Sequence, residues 1–496
     1  MKSPVPLPSP RHGQCSVGVA IVAAATVLLL AGCASMAPSY EAPALPVAPS
    51  YPNQAPAGDD AVRAANVGWQ DHFADPQLRR LIAQALENNR DLRIATLRVQ
   101  EAEAAYGIQR AERFPAIGLG ADGSRARVPG ELNVSGRPVT ASQYQIGLGA
   151  SAWELDFWGR VRSLQDAALQ TYLASDEARR AVTLTLVAQV ADGYLVLREL
   201  NERVALARRS IASREESLRI FTRRFEVGST SRLDLTQVQT LLAQARSLGA
   251  QLEQVRAAQA HALTRLVGSP IDQTQLPERF DDAAVTRDLQ AGLPSDLLVD
   301  RPDIMAAEHR LRAANANIGA ARAAFFPRVT LTGRLGTAST ELDGLFESGS
   351  RAWAFAPSIS LPIFDAGRNR ASLELSQVRR DVAVAEYEKA VQNAFRDVSD
   401  ALSAQRWLAE QVRIQQDNLA AQSERARLAK LRYDNGAAAF LEVLDAQRDL
   451  LATEQQLVQT RRALLSARVG LYAALGGGSQ QIAAPTPPRS TDQAAN

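Results

Sequence analysis

The chain has 496 residues, with 55 Lys and Arg against 53 Asp and Glu, four His and two Cys. This near balance of charge argues against a nucleic-acid partner. So few His and Cys leave little material for a metal site or a disulfide scaffold, and no metal is expected. A hydrophobic content of 46% is typical of an ordered protein.

The N-terminal residues have the pattern of a secretory signal peptide. Lys2 and Arg11 precede an apolar run of about 14 residues, which is shorter than the roughly 20 needed to span a bilayer. The run ends in Leu-Ala-Gly-Cys, which resembles a bacterial lipobox, so Cys33 is predicted to carry a covalent lipid as the first mature residue. A plain signal peptide with an incidental Cys is the alternative. Loss of two basic residues would bring the formal charge from +2 to zero, and Ala34 after the Cys favours the outer membrane.

The rest of the chain is an internal duplication. Phe114-Pro115 recurs as Phe326-Pro327, and Phe225-x-x-Gly228 recurs as Tyr433-x-x-Gly436. The predicted organisation is a signal peptide (1–32), a lipidated extended tether rich in Pro, Ala and Ser (33–60), a first repeat (61–275), a linker (276–300), a second repeat (301–477) and a flexible C-terminal tail (478–496).

In chain order, each repeat is predicted to contain a helix, a β-hairpin and a long helical hairpin. The β-hairpins are expected at about 116–155 and 328–363, and the helical hairpins at about 160–268 and 368–475. Residues 369–435 contain neither Gly nor Pro, which allows on the order of 100 Å of helix at 1.5 Å per residue. Such length favours a coiled coil or helical barrel over an ordinary globular bundle.

The short segments alternate with a period of two. Ile117 and Leu119 alternate with Gly118 and Gly120, and runs of about ten residues suit transmembrane β-strands, although a soluble hairpin would also alternate. Four strands cannot close a membrane barrel, and open sheet edges do not occur in lipid, so several chains would have to share one barrel. Aromatic residues where strands meet helices suggest an interfacial girdle: Phe114, Trp153, Phe157, Trp158, Phe326 and Phe364.

Motifs spread over nearly the whole mature chain carry a resemblance to a known family. Among them are Trp69-x3-Phe73-x-Asp75-Pro76, Leu293-Pro294-x2-Leu297-Leu298-x2-Arg301-Pro302-Asp303-Ile304, Pro362-Ile363-Phe364-Asp365-x-Gly367 and Leu444-Asp445-Ala446-Gln447-Arg448. Together they resemble the trimeric outer-membrane efflux channel lipoproteins, the outer-membrane factors of tripartite pumps.

This resemblance implies a mainly α fold with a transmembrane β-barrel. Three protomers would share a 12-stranded barrel and a long α-helical barrel reaching into the periplasm. The implied partners are outer-membrane lipid, a periplasmic adaptor (a membrane fusion protein) and an inner-membrane efflux transporter. The implied function is a passive exit duct for drugs or other small toxic compounds, with no catalysis and no cofactor beyond the lipid on Cys33.

The candidate gate lies on the last long helix. Glu442 and Asp445 are three residues apart and share a helix face, so a trimer would bring six carboxylates near one axis. Their repulsion would favour a bound cation or raised pKa values; a solvated helix face is the alternative. The resemblance places Asp445 at the pore constriction beside Leu441, and it pairs Tyr433 with Asp234 across neighbouring hairpins as a latch of the closed state.

The turns of the helical hairpins are candidate contacts for the adaptor. Gly228 and Ser229 form one turn, and Gly436 and Ala437 form the other. Simple turn chemistry would also explain these residues, because Gly suits a helix C-terminus. Ala438 stands where some family members carry an Arg latch, so that contact is expected to be absent.

Two other protein classes compete with a channel. A lipid-anchored periplasmic coiled-coil adaptor or structural spacer explains the helices and Cys33, but not the four strand segments. A periplasmic enzyme is disfavoured because His72, His261 and His309 are scattered, and neither an H-E-x-x-H nor a G-x-S-x-G motif is present.

Overall fold

The computed structural model describes residues 35–52, 63–272, 289, 292 and 294–482. The predicted signal peptide, Cys33, and parts of the tether, linker and C-terminal tail lie outside the described residues. The helices are α1 (Trp69–His72), α2 (Pro76–Asn88), α3 (Arg90–Ala111), α4 (Arg160–Glu226), α5 (Arg232–Val267), α6 (Leu297–Asp300), α7 (Pro302–Ala323), α8 (Arg368–Asp434) and α9 (Phe440–Ala474). The strands are β1 (Ile117–Val128), β2 (Val139–Leu155), β3 (Arg328–Ser339) and β4 (Arg351–Ser360).

The chain divides into two compact units. The strand unit comprises the described parts of 1–43 together with 101–173 and 309–385, and it holds all four strands. The helical unit comprises the described parts of 44–100, 174–308 and 386–496, and it holds both turns of the long helical hairpins.

Local sequence signals set the ends of the helices. Asp75 caps α2 by accepting hydrogen bonds from the backbone N–H groups of Gln77 and Leu78, with Pro76 at the first helical position. Ser231 and Asp234 form a reciprocal capping box at the start of α5. Helix α5 ends at Gly268 in the left-handed conformation (φ 75°).

The core of the helical unit packs α2 against α4, α5 and α9. Its largest fully buried members include Tyr194, Ile82 and Leu263, and burying an aliphatic side chain of this size contributes about 1.5–3 kcal/mol. Helix α4 contains an apolar window long enough to cross a membrane by length and composition. Half of that window is buried in the protein, so packing in a helical core accounts for its composition.

The strand unit contains one antiparallel sheet in the order β1-β2-β3-β4. The two hairpins expected from the duplication are therefore joined by pairing of β2 with β3, where Leu148 lies opposite Leu335. Strands β1 and β4 each have a partner on one side only and form the two edges of the sheet.

Candidate functional site

One face of the sheet is apolar and exposed. Leu119, Leu148, Leu335 and Trp353 lie side by side in a row that crosses all four strands. Their exposed fractions are 71%, 55%, 62% and 75%. A continuous apolar surface of this kind marks a membrane or protein contact.

The opposite face carries small and polar residues. At the adjacent position along the strands, Gly118, Gly149, Arg334 and Ala354 form a row on this second face. The next such row is Gly120, Gly147, Gly336 and Ala352. Strands that are apolar on one side and polar on the other are typical of a transmembrane barrel.

A β-bulge keeps the two faces distinct along β2. The register shifts between Ala150 and Trp153, and Ala152 has a positive φ of 52°. Because one extra residue reverses the alternation, Trp153 joins the apolar face and Glu154 joins the polar one. Glu154 pairs there with Arg160 at 2.8 Å and with Arg328 at 2.6 Å.

Four residues of the predicted aromatic girdle fall into two pairs. Phe114 and Phe364 are 65% and 90% exposed, as expected for side chains that contact a membrane interface. Trp158 instead stacks on Phe326 with ring centroids 4.7 Å apart and donates a hydrogen bond to the Pro327 carbonyl at 2.9 Å. This second pair fixes the junction between β3 and the start of α4.

The first described residues form a strap, residues 35–40, on the surface of the strand unit. The Asn315 amide donates to the Pro38 carbonyl at 2.8 Å, and Arg322 donates to the Met36 carbonyl at 3.2 Å. A side chain on Gly319 would have its Cβ 2.6 Å from the backbone nitrogen of Ala37. The extended tether predicted from the sequence is therefore packed against α7 over these residues.

The turns of the two helical hairpins share one geometry. Gly228 and Gly436 both have positive φ, 74° and 75°. Ser229 N–H donates to the Arg224 carbonyl at 2.8 Å, and Ala437 N–H donates to the Arg432 carbonyl at 2.8 Å. This is the Schellman pattern of a helix C-terminus, so turn chemistry alone accounts for both glycines.

A cation–aromatic cluster joins the two hairpins beside these turns. Phe440 packs on Phe221 and Tyr433, with ring centroids 4.6 and 4.9 Å away. The Arg224 guanidinium lies 5.6 Å from the Tyr433 ring centroid and donates a hydrogen bond to its hydroxyl. Arg224 is not among the predicted site residues, because no local pattern in the sequence connects it to a tyrosine 209 positions later.

The expected Tyr433–Asp234 latch is not formed within the described residues of this chain. The Tyr433 hydroxyl accepts a hydrogen bond from Arg224. The Asp234 carboxylate instead accepts hydrogen bonds from the Ser231 hydroxyl at 2.6 Å and the Thr230 hydroxyl at 3.1 Å. The hydrogen bond from the Ser231 side chain holds the pKa of the Asp234 carboxyl below its usual range. Asp234 therefore acts as a helix cap in this structure.

The two candidate gate carboxylates each have an arginine partner. Glu442 pairs with Arg432 at 2.6 Å, and Asp445 pairs with Arg448 at 3.2 Å. Each of these arginines offsets part of the negative charge of the carboxylate that it contacts. Leu441 beside them is 45% exposed. In the part of the chain that the structure describes, no group of His, Cys, Asp and Glu could hold a metal ion.

Comparisons with known proteins agree with one another. A family model described as outer membrane efflux protein matches residues 81–269 and 293–477. The antibiotic efflux pump outer membrane protein ArpC of Pseudomonas putida is 44% identical over 458 residues, covering 92% of this chain and 94% of that protein. The outer membrane protein OprJ of Pseudomonas aeruginosa is also 44% identical over 458 residues, covering 92% of this chain and 95% of that protein.

Solved structures include proteins with the same fold. The open state of the Neisseria gonorrhoeae MtrE outer membrane channel superposes with a TM-score of 0.82 at 40% identity, covering 90% of this chain and 99% of that one. The outer-membrane channel OprN superposes with a TM-score of 0.81 at 31% identity, covering 90% and 99%.

Proposed function

Because the chain belongs to the outer membrane efflux protein family, we propose that three copies form the exit duct of a tripartite pump. A periplasmic adaptor and an inner-membrane transporter complete that pump. The observation that carries the proposal is the four-stranded sheet with one exposed apolar face, one face of small and polar residues, and two open edges. Open edges are excluded from lipid, and joining β4 of one copy to β1 of the next gives a closed barrel of 12 strands.

The chain itself acts as a passive conduit in this proposal. Relatives carry names such as toluene efflux pump outer membrane protein TtgC and solvent efflux pump outer membrane protein SrpC, both of Pseudomonas putida. Small toxic compounds, including drugs and apolar solvents, are accordingly the proposed cargo. The alternative, a periplasmic spacer, does not explain why the apolar row from Leu119 to Trp353 is exposed.

The strap supports lipidation at Cys33. Ser35 lies 3.2 Å from the Ser163 hydroxyl, in the first turn of α4, and Arg322 in the last turn of α7 holds Met36. Both helix ends adjoin the sheet, and Cys33 precedes Ser35 by two residues in the sequence. We expect the variant Cys33→Ser to lose fatty-acid labelling.

The cluster of Arg224, Tyr433 and Phe440 is the proposed closing element of the periplasmic entrance. It links the first helical hairpin to the second through the hydrogen bond from Arg224 to Tyr433 and the ring contact between Phe221 and Phe440, so movement of one hairpin away from the other has to break both contacts. Asp445 and Leu441 are proposed to line the entrance, and the turns at Gly228 and Gly436 are proposed to contact the adaptor.

Fractionation and electrophoresis test the proposal. Outer membranes should contain a trimer that withstands detergent and separates into monomers only on heating. Cells lacking the protein should become sensitive to apolar solvents, and the wild-type chain should restore resistance. A monomer extracted by salt, with resistance unchanged, would support the spacer and contradict the channel.

A further inference from the structure

An ion pair crosses the polar face of the sheet at the depth of its apolar band. Arg334 lies in the middle of β3, between Gly333 and Leu335, whose rows on the other face contain Phe355 and Trp353. An arginine facing lipid at such a depth costs about 2–4 kcal/mol. Arg334 avoids that cost because it projects from the opposite face.

The side chain of Arg334 reaches across a whole strand. Its Nη1 lies 2.8 Å from Asp122 Oδ2, and its Nη2 donates to the Gly120 carbonyl at 3.1 Å. Both acceptors are on β1, and β2 lies between β1 and β3. With strands about 4.8 Å apart, this contact spans about 10 Å.

Glycines make this reach possible. On the polar face, β2 presents Gly147 and Gly149 at the two positions that the arginine passes, so no side chain blocks its path. The Arg334 guanidinium also lies 3.9 Å from the place where a Cβ on Gly120 would be. The glycines of β1 and β2 therefore leave room on this face for the long side chain of Arg334.

We propose that the Arg334–Asp122 pair sets the charge selectivity of the barrel lumen. The proposal rests on the trimeric channel proposed above, in which the polar face lines the lumen and three pairs surround it. Each pair is neutral as a whole, but the Asp122 side chain is 63% exposed and that of Arg334 only 27%. Removing either partner leaves the charge of the other uncompensated, and ions that pass through the lumen respond to that charge.

Reversal potentials measure this selectivity directly. Purified trimers in planar bilayers under a KCl gradient give the permeability ratio of K⁺ to Cl⁻. Arg334→Ala leaves three unpaired carboxylates and is expected to raise the ratio by about twofold or more. Asp122→Ala leaves three unpaired guanidinium groups and is expected to lower it by a similar factor. The double variant should return to within about twofold of wild type.

Two further variants keep the test decisive. Arg125→Ala removes the same charge from β1, but Arg125 shares the face of Leu119, so the ratio should not change. The exchanged pair, R334D with D122R, retains the attraction and should give a folded trimer if either single variant does not assemble. Single variants that leave the ratio unchanged, or shift it in the same direction, would overturn the proposal. Absence of ion conduction from the wild type and from every variant would instead contradict the channel itself.

Discussion

Removing the arginine between the helical hairpins should loosen the closed entrance. Arg224→Ala deletes a hydrogen bond to Tyr433 and cation–π contacts to Tyr433 and Phe221, at 5.6 and 5.7 Å. Arg224 is exposed, so each kind of contact contributes about 0.5–1 kcal/mol. The sum is about 1–2 kcal/mol per protomer. Three tips opening together would then shift the ratio of open to closed channels by about 10²–10⁴-fold.

Single-channel recordings in planar bilayers provide the assay for this effect. The open fraction should rise strongly in Arg224→Ala, and by less in Tyr433→Phe, which loses the hydroxyl but keeps the ring. Arg223→Ala is the matched control, because among the described residues Arg223 forms an ion pair only with Glu226 one turn away, and both side chains are more than half exposed. An open fraction that is equal in Arg224→Ala and Arg223→Ala would refute the closing role of the cluster.

Two more predictions concern the strap and the buried Tyr472. Gly319→Val should displace residues 35–40, because the new Cβ would lie 2.6 Å from the Ala37 nitrogen. Gly107→Val is the control, since Gly107 is the corresponding glycine of the first repeat and has open space around it. Limited proteolysis should cut the strap faster in Gly319→Val than in Gly107→Val, and equal rates would argue against the packed strap. Burial raises the pKa of Tyr472 above its ordinary value of 10.0, so the stability that this hydroxyl contributes is fully present below pH 10 and is lost as the pH rises further. Tyr472→Phe should therefore flatten the alkaline loss of stability in chemical denaturation, and an unchanged pH profile would count against this origin.

The fold class could be predicted because its signals are periodic or repeated, and the efflux function could be predicted because the motifs resemble those of a known family. Long helices without Gly or Pro and strands with period two are local patterns, and the family match and the solved structures confirm the class that they indicated. The outer-membrane location is confirmed by the same comparisons.

Features that depend on packing were not predictable from the sequence. The bulge at Ala152 reverses the alternation, so Trp153 and Glu154 exchange the faces that a strict period would give them. Gly107 and Gly319 are equivalent in the duplication, yet only Gly319 has the strap above it. No sequence rule separates these two glycines.

The arginine contacts at the hairpin turns differ in how far they can be predicted from sequence spacing. Arg448 follows Asp445 by three residues, a spacing that predicts contact on a helix. Arg432 reaches Glu442 across the turn, and Arg224 reaches Tyr433 between hairpins. Only the first of these contacts could have been found from spacing.

The central claim, that three copies of this chain form a duct through the outer membrane, is tested most directly by conductance. Purified, detergent-resistant trimers added to a planar bilayer should insert in discrete steps of equal conductance, and the same sample heated to monomers should insert none. Trimers that bind the bilayer but never conduct, even in the Arg224→Ala variant with its loosened entrance, would contradict the account.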